Sequence, residues 1–318
     1  MQIDSRQLAA FAAVLREGSF DAAARALHLT PSAVSQRIKA LEERLGRVLI
    51  RRATPCVATE AGESLQRHAQ QLQLLEAQAL APFGLGGSHV GAAARGPGGA
   101  LASLPPTAPL PLAIAVNADS LATWFVPALA ALRERHAVQF DLNVEDQDHS
   151  SALLRQGRVL AAVSAQASPV QGCKVRPLGR MRYLAVASPA FMRRHFGQGV
   201  SEAALALAPC NVFNQKDQLQ ARFMRRLSRR RLDPPRHRVP GTHGFIHAAV
   251  QGLGWGMNPD VLVAPLLASG ELVEIVPGRF LDVPLYWQHW SLDAPVLRAL
   301  TDCVCTAARA MLHFDARA

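Results

Sequence analysis

Ser32, Ser35, Gln36 and Lys39 share one side of a short stretch whose other side is Val34, Ile38, Leu41 and Leu45. The apolar set recurs at helical spacing and makes a buried stripe. The polar set offers hydroxyls, an amide and an ammonium, groups that bond to base edges and phosphate oxygens in a DNA groove. Arg37 adjoins them, and Arg51 and Arg52 follow. A second polar set lies far downstream, at the ends of apolar runs: Asn117, Asp119 and Ser120; Glu145 and Asp146; Ser164 and Gln166; Asn214, Asp217, Thr242 and His243. Gathered in one cleft, these would suit a basic amino acid. The carboxylates would take an ammonium or guanidinium, and hydroxyl and N–H donors would take a carboxylate. Each has a plainer reading beside it. Asp119 or Ser120 caps its own helix, Glu145 and Asp146 form a solvated loop, and His243 is an ordinary loop or core histidine.

The elements that position the first set are short. Thr30 reads as an N-cap, which places it beside the DNA-facing group, and Pro31 suits the first helical position. Gly46 stops that helix. Phe20, Ala23, Ala24 and Leu27 mark a second helix, and Leu8, Phe11 and Leu15 a third. Residues 48–50 and 56–58 form a small hairpin with Arg51 and Arg52 near its tip. A three-helix bundle with a polar surface is the competing reading. Charge favours the DNA reading: from 37 to 52 there are six basic residues against Glu42 and Glu43. Such a local excess beside a polar helix face is the footprint of a DNA contact.

Whole-chain charge is concentrated elsewhere. The net is +10, yet residues 1–80 hold ten basic and eight acidic residues. Between 221 and 238 eight arginines face one acid, Asp233. That segment reads as a solvated helix face and loop, or as an auxiliary patch for phosphate or an acidic partner.

A chain of 318 residues, 49% hydrophobic, has material for two or three packed domains. It begins with no basic, apolar leader and contains no run of 18 apolar residues, so a cytoplasmic location is expected. Five scattered cysteines without zinc spacing read as free thiols. No catalytic motif stands out, and no enzyme is expected. Gly-Leu-Gly-Trp-Gly (252–256) precedes Met257-Asn258-Pro259 instead of opening a helix, which is the wrong context for a nucleotide loop. The eleven histidines are dispersed without ligand spacing, and neither metal nor cofactor is expected.

The chain divides by texture. Residues 1–58 form the DNA-binding head. Residues 59–83 form a long helix, either packed on its own domain or paired with a second copy. Residues 84–111 are a flexible Gly/Ala/Pro linker. From 112 the pattern alternates strands (112–116, 139–144, 159–165) with helices (120–135, 150–156). A second series follows: strand 183–187, a helix from Pro189, strand 210–213, helices 218–231 and 243–251, strand 254–257 and helix 260–268. Strands 271–276 and 284–290 and a helix from 295 to 314 close the chain. This predicts an α/β fold of two lobes, about 112–180 with 285–318, and about 181–284. Ligands in such sheets bind outside the carboxyl ends of the strands. The four tryptophans read as core.

The segment SFDAAARALHLTPSAVSQRIKALEERLGRVLIRR resembles the head of the LysR-type transcriptional regulators. NADSLATWFVPAL (117–129) and NVEDQ (143–147) resemble the arginine- and lysine-responsive ArgP/LysG-like branch, which controls basic amino acid export. The resemblance spans nearly the whole chain. It implies a winged helix-turn-helix, a dimerising linker helix and an effector domain like the periplasmic solute-binding proteins. It further implies a homodimer or tetramer acting on promoter DNA, with possible polymerase contact and a lysine or arginine co-inducer. Thr30, Ser32, Ser35, Gln36, Arg37 and Lys39 then lie on the reading helix, and Arg51 and Arg52 on the wing. The 84–111 linker is long and Gly-rich for that family, and Asn214 stands where an acid would suit a cationic ligand better. Two other readings remain: a cytoplasmic α/β solute-binding protein whose head mediates protein contacts, and a regulator whose effector domain only oligomerises.

Overall fold

The computed structural model describes residues 3–80, 110–145 and 150–314. Of the expected 84–111 linker, 84–109 lies outside the described residues, as does Asp146, while Leu110 and Pro111 belong to the first strand of the sheet.

The head is α1 (Ser5–Glu17), α2 (Phe20–Ala26) and α3 (Pro31–Leu45), followed by β1 (Ile50–Arg51) and β2 (Val57–Ala58). Sequence dictates each boundary. Asp4, Ser19 and Thr30 cap the three helices by accepting from Arg6, Ala22 and Ala33 N–H groups. Gly18 and Gly46 end α1 and α3 in the left-handed region, at φ 74° and 65°, which glycine reaches without strain. Phe11, Val14, Ala23, Val34, Ile38 and Leu41 form one buried cluster; Leu45 packs at its margin. β1 and β2 pair antiparallel as a short wing. Its strands are two residues each, shorter than the hairpin expected.

α4 (Glu60–Leu80) follows. Its first half belongs to the head, with Leu65 and Ala69 buried and Leu72 packed beside them. Gly62 leaves no room for a side chain, because a Cβ there would run into the Leu49 carbonyl. Leu75 and Ala79, further along the helix, are exposed.

The second part is a seven-stranded sheet flanked by helices. β3 (Leu110–Val116) pairs parallel with β4 (Val138–Val144) and β5 (Ala161–Ser164). Between β3 and β4 run α5 (Ala118–Ser120), a π-helical turn at Leu121–Phe125 and α6 (Val126–Arg133). α7 (Ser150–Arg155) precedes β5, and α13 (Pro295–Met311) packs on α6. These elements form lobe I.

Two long strands join the lobes. β6 (Cys173–Ala187) and β11 (Phe280–Trp290) pair antiparallel, with Cys173–Leu184 running against the whole of β11. The register slips between Leu285 and Tyr286, opposite Gly179 and Pro177, so Leu178 is bulged. Bulges bend and twist a strand pair, and this one lies where the ribbon leaves β5 for lobe II. The expected strand 183–187 is therefore only the last third of β6. Lys174, Arg176, Arg180 and Arg182 interrupt its apolar pattern and hide the rest.

Lobe II contains α8 (Pro189–Phe196), α9 (Glu202–Leu207), β7 (Cys210–Val212), α10 (Leu219–Leu227), β8 (Arg236–Arg238), α11 (Thr242–Val250), β9 (Gly256–Pro259), α12 (Asp260–Ser269) and β10 (Val273–Glu274). α9 and β8 are too short to carry a periodic pattern of their own, so the sequence predicts neither. α10 stops at Leu227, short of 231, because Ser228 turns extended and its Oγ accepts from the Arg230 N–H at 3.0 Å. Trp124, Trp255, Trp287 and Trp290 are all core. No helix among the described residues is long and apolar enough to cross a membrane.

Candidate functional site

On α3 the burial pattern separates the two faces. Val34, Ile38 and Leu41 point inward, while Ser32, Gln36 and Lys39 are exposed and Ser35 and Arg37 are half-buried. Thr30 is occupied locally: its Oγ1 caps Ala33 at 3.2 Å and lies 3.0 Å from the Ser32 hydroxyl. Lys39 makes an exposed pair with Glu43 at 3.7 Å, weak enough to exchange for a phosphate. Arg51 and Arg52 are exposed on the wing, and the Arg52 guanidinium sits 4.8 Å from the Phe20 ring. Glu42 ties the wing to α3, accepting from the Leu49 N–H at 2.8 Å and the Ile50 N–H at 3.3 Å. Nothing in the Glu42–Glu43 pair alone marks one of them as a tether.

A cavity of about 140 Å³ opens between the lobes. It sits past the carboxyl ends of β3, β4 and β7, where ligands of open α/β sheets bind. Asn117, Asp119, Glu145, Asn214, Asp217 and Thr242 all border it. Ser120, Ser164, Gln166 and His243 do not. Ser120 and Ser164 are fully buried. The Ser164 Oγ accepts from the Gln166 N–H at 3.1 Å, and the Gln166 carbonyl accepts from Gln288 at 2.9 Å. Ser164 ends β5 and Gln166 follows it, and neither is part of the cavity wall.

The tie across the cleft is Asp119. The Tyr183 hydroxyl donates to its Oδ2 at 2.8 Å, and the Thr242 hydroxyl donates to its Oδ1 at 2.7 Å from lobe II. Both donors leave a carboxylate fixed in place with its charge uncompensated by them. Directly behind it, the Thr123 Oγ1 donates to the Asp119 carbonyl at 2.7 Å within the π-helical turn. Such turns occur often at functional sites. Asn117 is buried with its Oδ1 unpartnered among the described residues. A buried unpaired acceptor is costly, so this atom is a candidate for a ligand donor.

Asn214 and Asp217 shape the opposite wall. The Asn214 Oδ1 accepts from the Lys216 and Asp217 N–H groups at 2.7 and 3.1 Å. The Asp217 carboxylate accepts from the Phe213 and Leu219 N–H groups, each at 2.9 Å. An acid in place of Asn214 would lack nothing needed for this turn, but its amide supplies the same acceptor without a second charge. Sequence reasoning missed Tyr183, Lys216, Arg222 and Asn258, which also border the cavity. Tyr183 was hidden inside an apolar strand, and Arg222 inside an arginine run. The lining thus holds three carboxylates, Asp119, Glu145 and Asp217, against two cations, Lys216 and Arg222. Groups of both signs with an acidic excess of one suit a zwitterion that carries an extra positive charge.

Burial pushes the Cys173 and Cys210 thiols up to about 11, so neither is a nucleophilic thiolate at neutral pH. No group of three or more His, Cys, Asp or Glu among the described residues could hold a metal ion.

A winged helix-turn-helix joined to a two-lobed ligand-binding domain defines a DNA-binding regulator of transcription. Residues 5–63 match the bacterial regulatory helix-turn-helix protein family of lysR type, and residues 110–309 match the LysR substrate binding domain. The chain belongs to the LysR family of transcriptional regulators. It is 49% identical over 316 residues to the HTH-type transcriptional regulator LysG of Mycobacterium tuberculosis, covering 99% of this chain and 97% of that one. It is 42% identical over 304 residues to the lysine export transcriptional regulatory protein LysG of Corynebacterium efficiens, covering 94% and 96%. Among solved structures, full-length LysG of Corynebacterium glutamicum with bound effector Arg superposes with a TM-score of 0.73. It is 38% identical to this chain, and 98% and 99% of the two chains are covered.

Proposed function

We propose that this LysR regulator binds arginine or lysine in the interlobe cleft and thereby controls a promoter such as that of a basic amino acid exporter. The observation that carries the reading is the lining of three carboxylates and two cations around one cavity. Asp119 and Glu145 receive the cationic groups of the ligand. Arg222 and Lys216 receive its α-carboxylate, and the Asn117 Oδ1 accepts from an ammonium or guanidinium hydrogen. The arginine held by the C. glutamicum LysG and the export role in the name of the C. efficiens relative support the same ligand class.

On the DNA side, Ser32, Ser35, Gln36, Arg37 and Lys39 of α3 read the major groove with Thr30 at its start, and Arg51 and Arg52 hold phosphates. Leu75 and Ala79, apolar and exposed on α4, suit pairing with a second copy, so that two heads read two half-sites. Ligand then acts through a difference in affinity between two arrangements of the lobes. Those arrangements change the spacing of the heads, the bend of the DNA and the access of polymerase.

Calorimetry on the full-length chain with arginine, lysine, leucine and glutamate tests the effector. Heat of binding from arginine or lysine alone upholds the proposal. Binding of glutamate, or of none of the four, overturns it.

A further inference from the structure

The charge of this protein is not where its reading helix is. Residues 1–80, the head with most of its linker helix, carry ten basic and eight acidic residues, whereas 221–238 carries eight arginines and one acid out of a whole-chain net of +10. The fold accounts for three of the eight. Arg222 borders the cleft, Arg226 donates to the Phe280 carbonyl at 2.8 Å, and Arg236 pairs with Asp233. Arg225 follows the helix dipole at the end of α10 but makes no ion pair among the described residues. Arg229, Arg230, Arg231 and Arg238 are likewise exposed and without an ion pair among those residues. The Ser228 turn ends α10 early and sets 229–231 on a loop in solvent. β8 then presents Arg236, His237 and Arg238, all exposed.

Like charges concentrated in one short exposed segment repel one another, which destabilises the compact state unless a polyanion is bound. Two classes of polyanion are conceivable, and the composition of the patch separates them. Protein interfaces centre on buried aromatic or aliphatic anchors. Here every exposed residue from 225 to 238 is Arg, His, Asp or Pro. Nucleic-acid interfaces are polar and strongly positive, and the guanidinium fork matches phosphate oxygens in pairs. The same chain also carries a DNA-binding head, which keeps duplex at high effective concentration.

We propose that Arg225, Arg229, Arg230, Arg231 and Arg238 of lobe II form a second, sequence-independent contact with the DNA backbone. The effector domain then grips the same duplex that the head reads, and its grip is electrostatic.

The test is the salt dependence of DNA binding by the full-length chain carrying Arg229→Ala, Arg230→Ala and Arg231→Ala together. Each lost phosphate contact lowers the slope of log K against log salt by about 0.9. A slope smaller by about two to three, with equal loss of affinity on operator and on unrelated duplex, is the expected result. The triple Arg→Lys variant at these positions keeps the charge and should keep the slope. Equal loss in the lysine variant would assign the effect to damaged folding and overturn the proposal, as would an unchanged slope in the alanine variant. So would binding of polyglutamate that depends on these arginines while the DNA slope stays constant, since that result assigns the patch to an acidic protein partner.

Discussion

On α3 the outward side chains Ser32, Gln36 and Lys39 come from one continuous stretch of chain, carried by the buried stripe behind them. In the cleft, Asp119 and Thr242 meet across 123 residues of sequence, and Tyr183 comes from a third element. The reading helix needs only its own register and a capped end to aim its polar face. The cleft needs two lobes, a bulged ribbon between them and a tight turn at residues 213–217 before any of its groups point at one another. A surface made by one element tolerates movement of its neighbours, whereas a surface assembled from many elements does not.

That contrast is open to breaking by substitution. The largest effect is expected at Leu41, which is fully buried in the head. Leu41→Ala should cost about 2–5 kcal/mol of head stability, read by chemical denaturation, while arginine binding in the cleft stays unchanged. Loss of both together would mean that the two regions do not fold as separately as their buried clusters indicate.

Asp119→Asn comes next. It keeps the shape and removes the charge, so arginine affinity in calorimetry should fall by about 10- to 100-fold, the worth of a hydrogen bond to a charged group. Thr242→Val leaves the carboxylate and removes only the donor from lobe II. If the tie between lobes matters beyond the charge, this variant should alter ligand affinity as well, and by less.

Gln36→Ala sharpens the other half of the comparison. It should weaken operator binding by about 1–3 kcal/mol with no change in melting temperature, because an exposed side chain supports recognition and not packing. A gel shift at fixed salt measures it, and wild-type affinity would remove Gln36 from the reading face.

The smallest effect concerns the ribbon. Arg182 grips Asp282 with two hydrogen bonds of 2.9 Å, and these hold the Asp282 carboxyl below the ordinary aspartate value. A folded value below the unfolded one stabilises the fold above the unfolded value of about 3.9, and this gain is lost as pH falls through the folded value. Asp282→Asn should therefore cost about 1 kcal/mol or less at pH 7 and flatten the acid limb of stability measured by urea unfolding between neutral pH and pH 3.

The head was legible in the sequence because its signals are local. Thr30, Pro31 and Gly46 bracket α3, and residues spaced three and four apart share a face whatever surrounds them. The alternation of strand and helix after Leu110 was legible for the same reason. The long strands β6 and β11 were only half legible, since Arg180 and Arg182 alternate with apolar neighbours only where the sheet is covered on one face. Among the cleft residues, Asn117, Asp119, Glu145, Asn214, Asp217 and Thr242 could be picked out as polar groups at the ends of elements. The same rule also picked Ser164 and Gln166, which are not part of the cavity wall, and it passed over Tyr183.

By itself the sequence determined a DNA-reading head, an α/β ligand domain and an arginine-rich segment within that domain. Helical spacing, caps and charge runs are properties of neighbouring residues and need no fold to express them. Only the tertiary structure decided that Tyr183 and Thr242 converge on Asp119, that Glu42 holds the wing, and that Ser228 turns 229–231 into solvent. Those contacts depend on how distant strands register and how a ribbon bends, which no periodicity in the chain encodes.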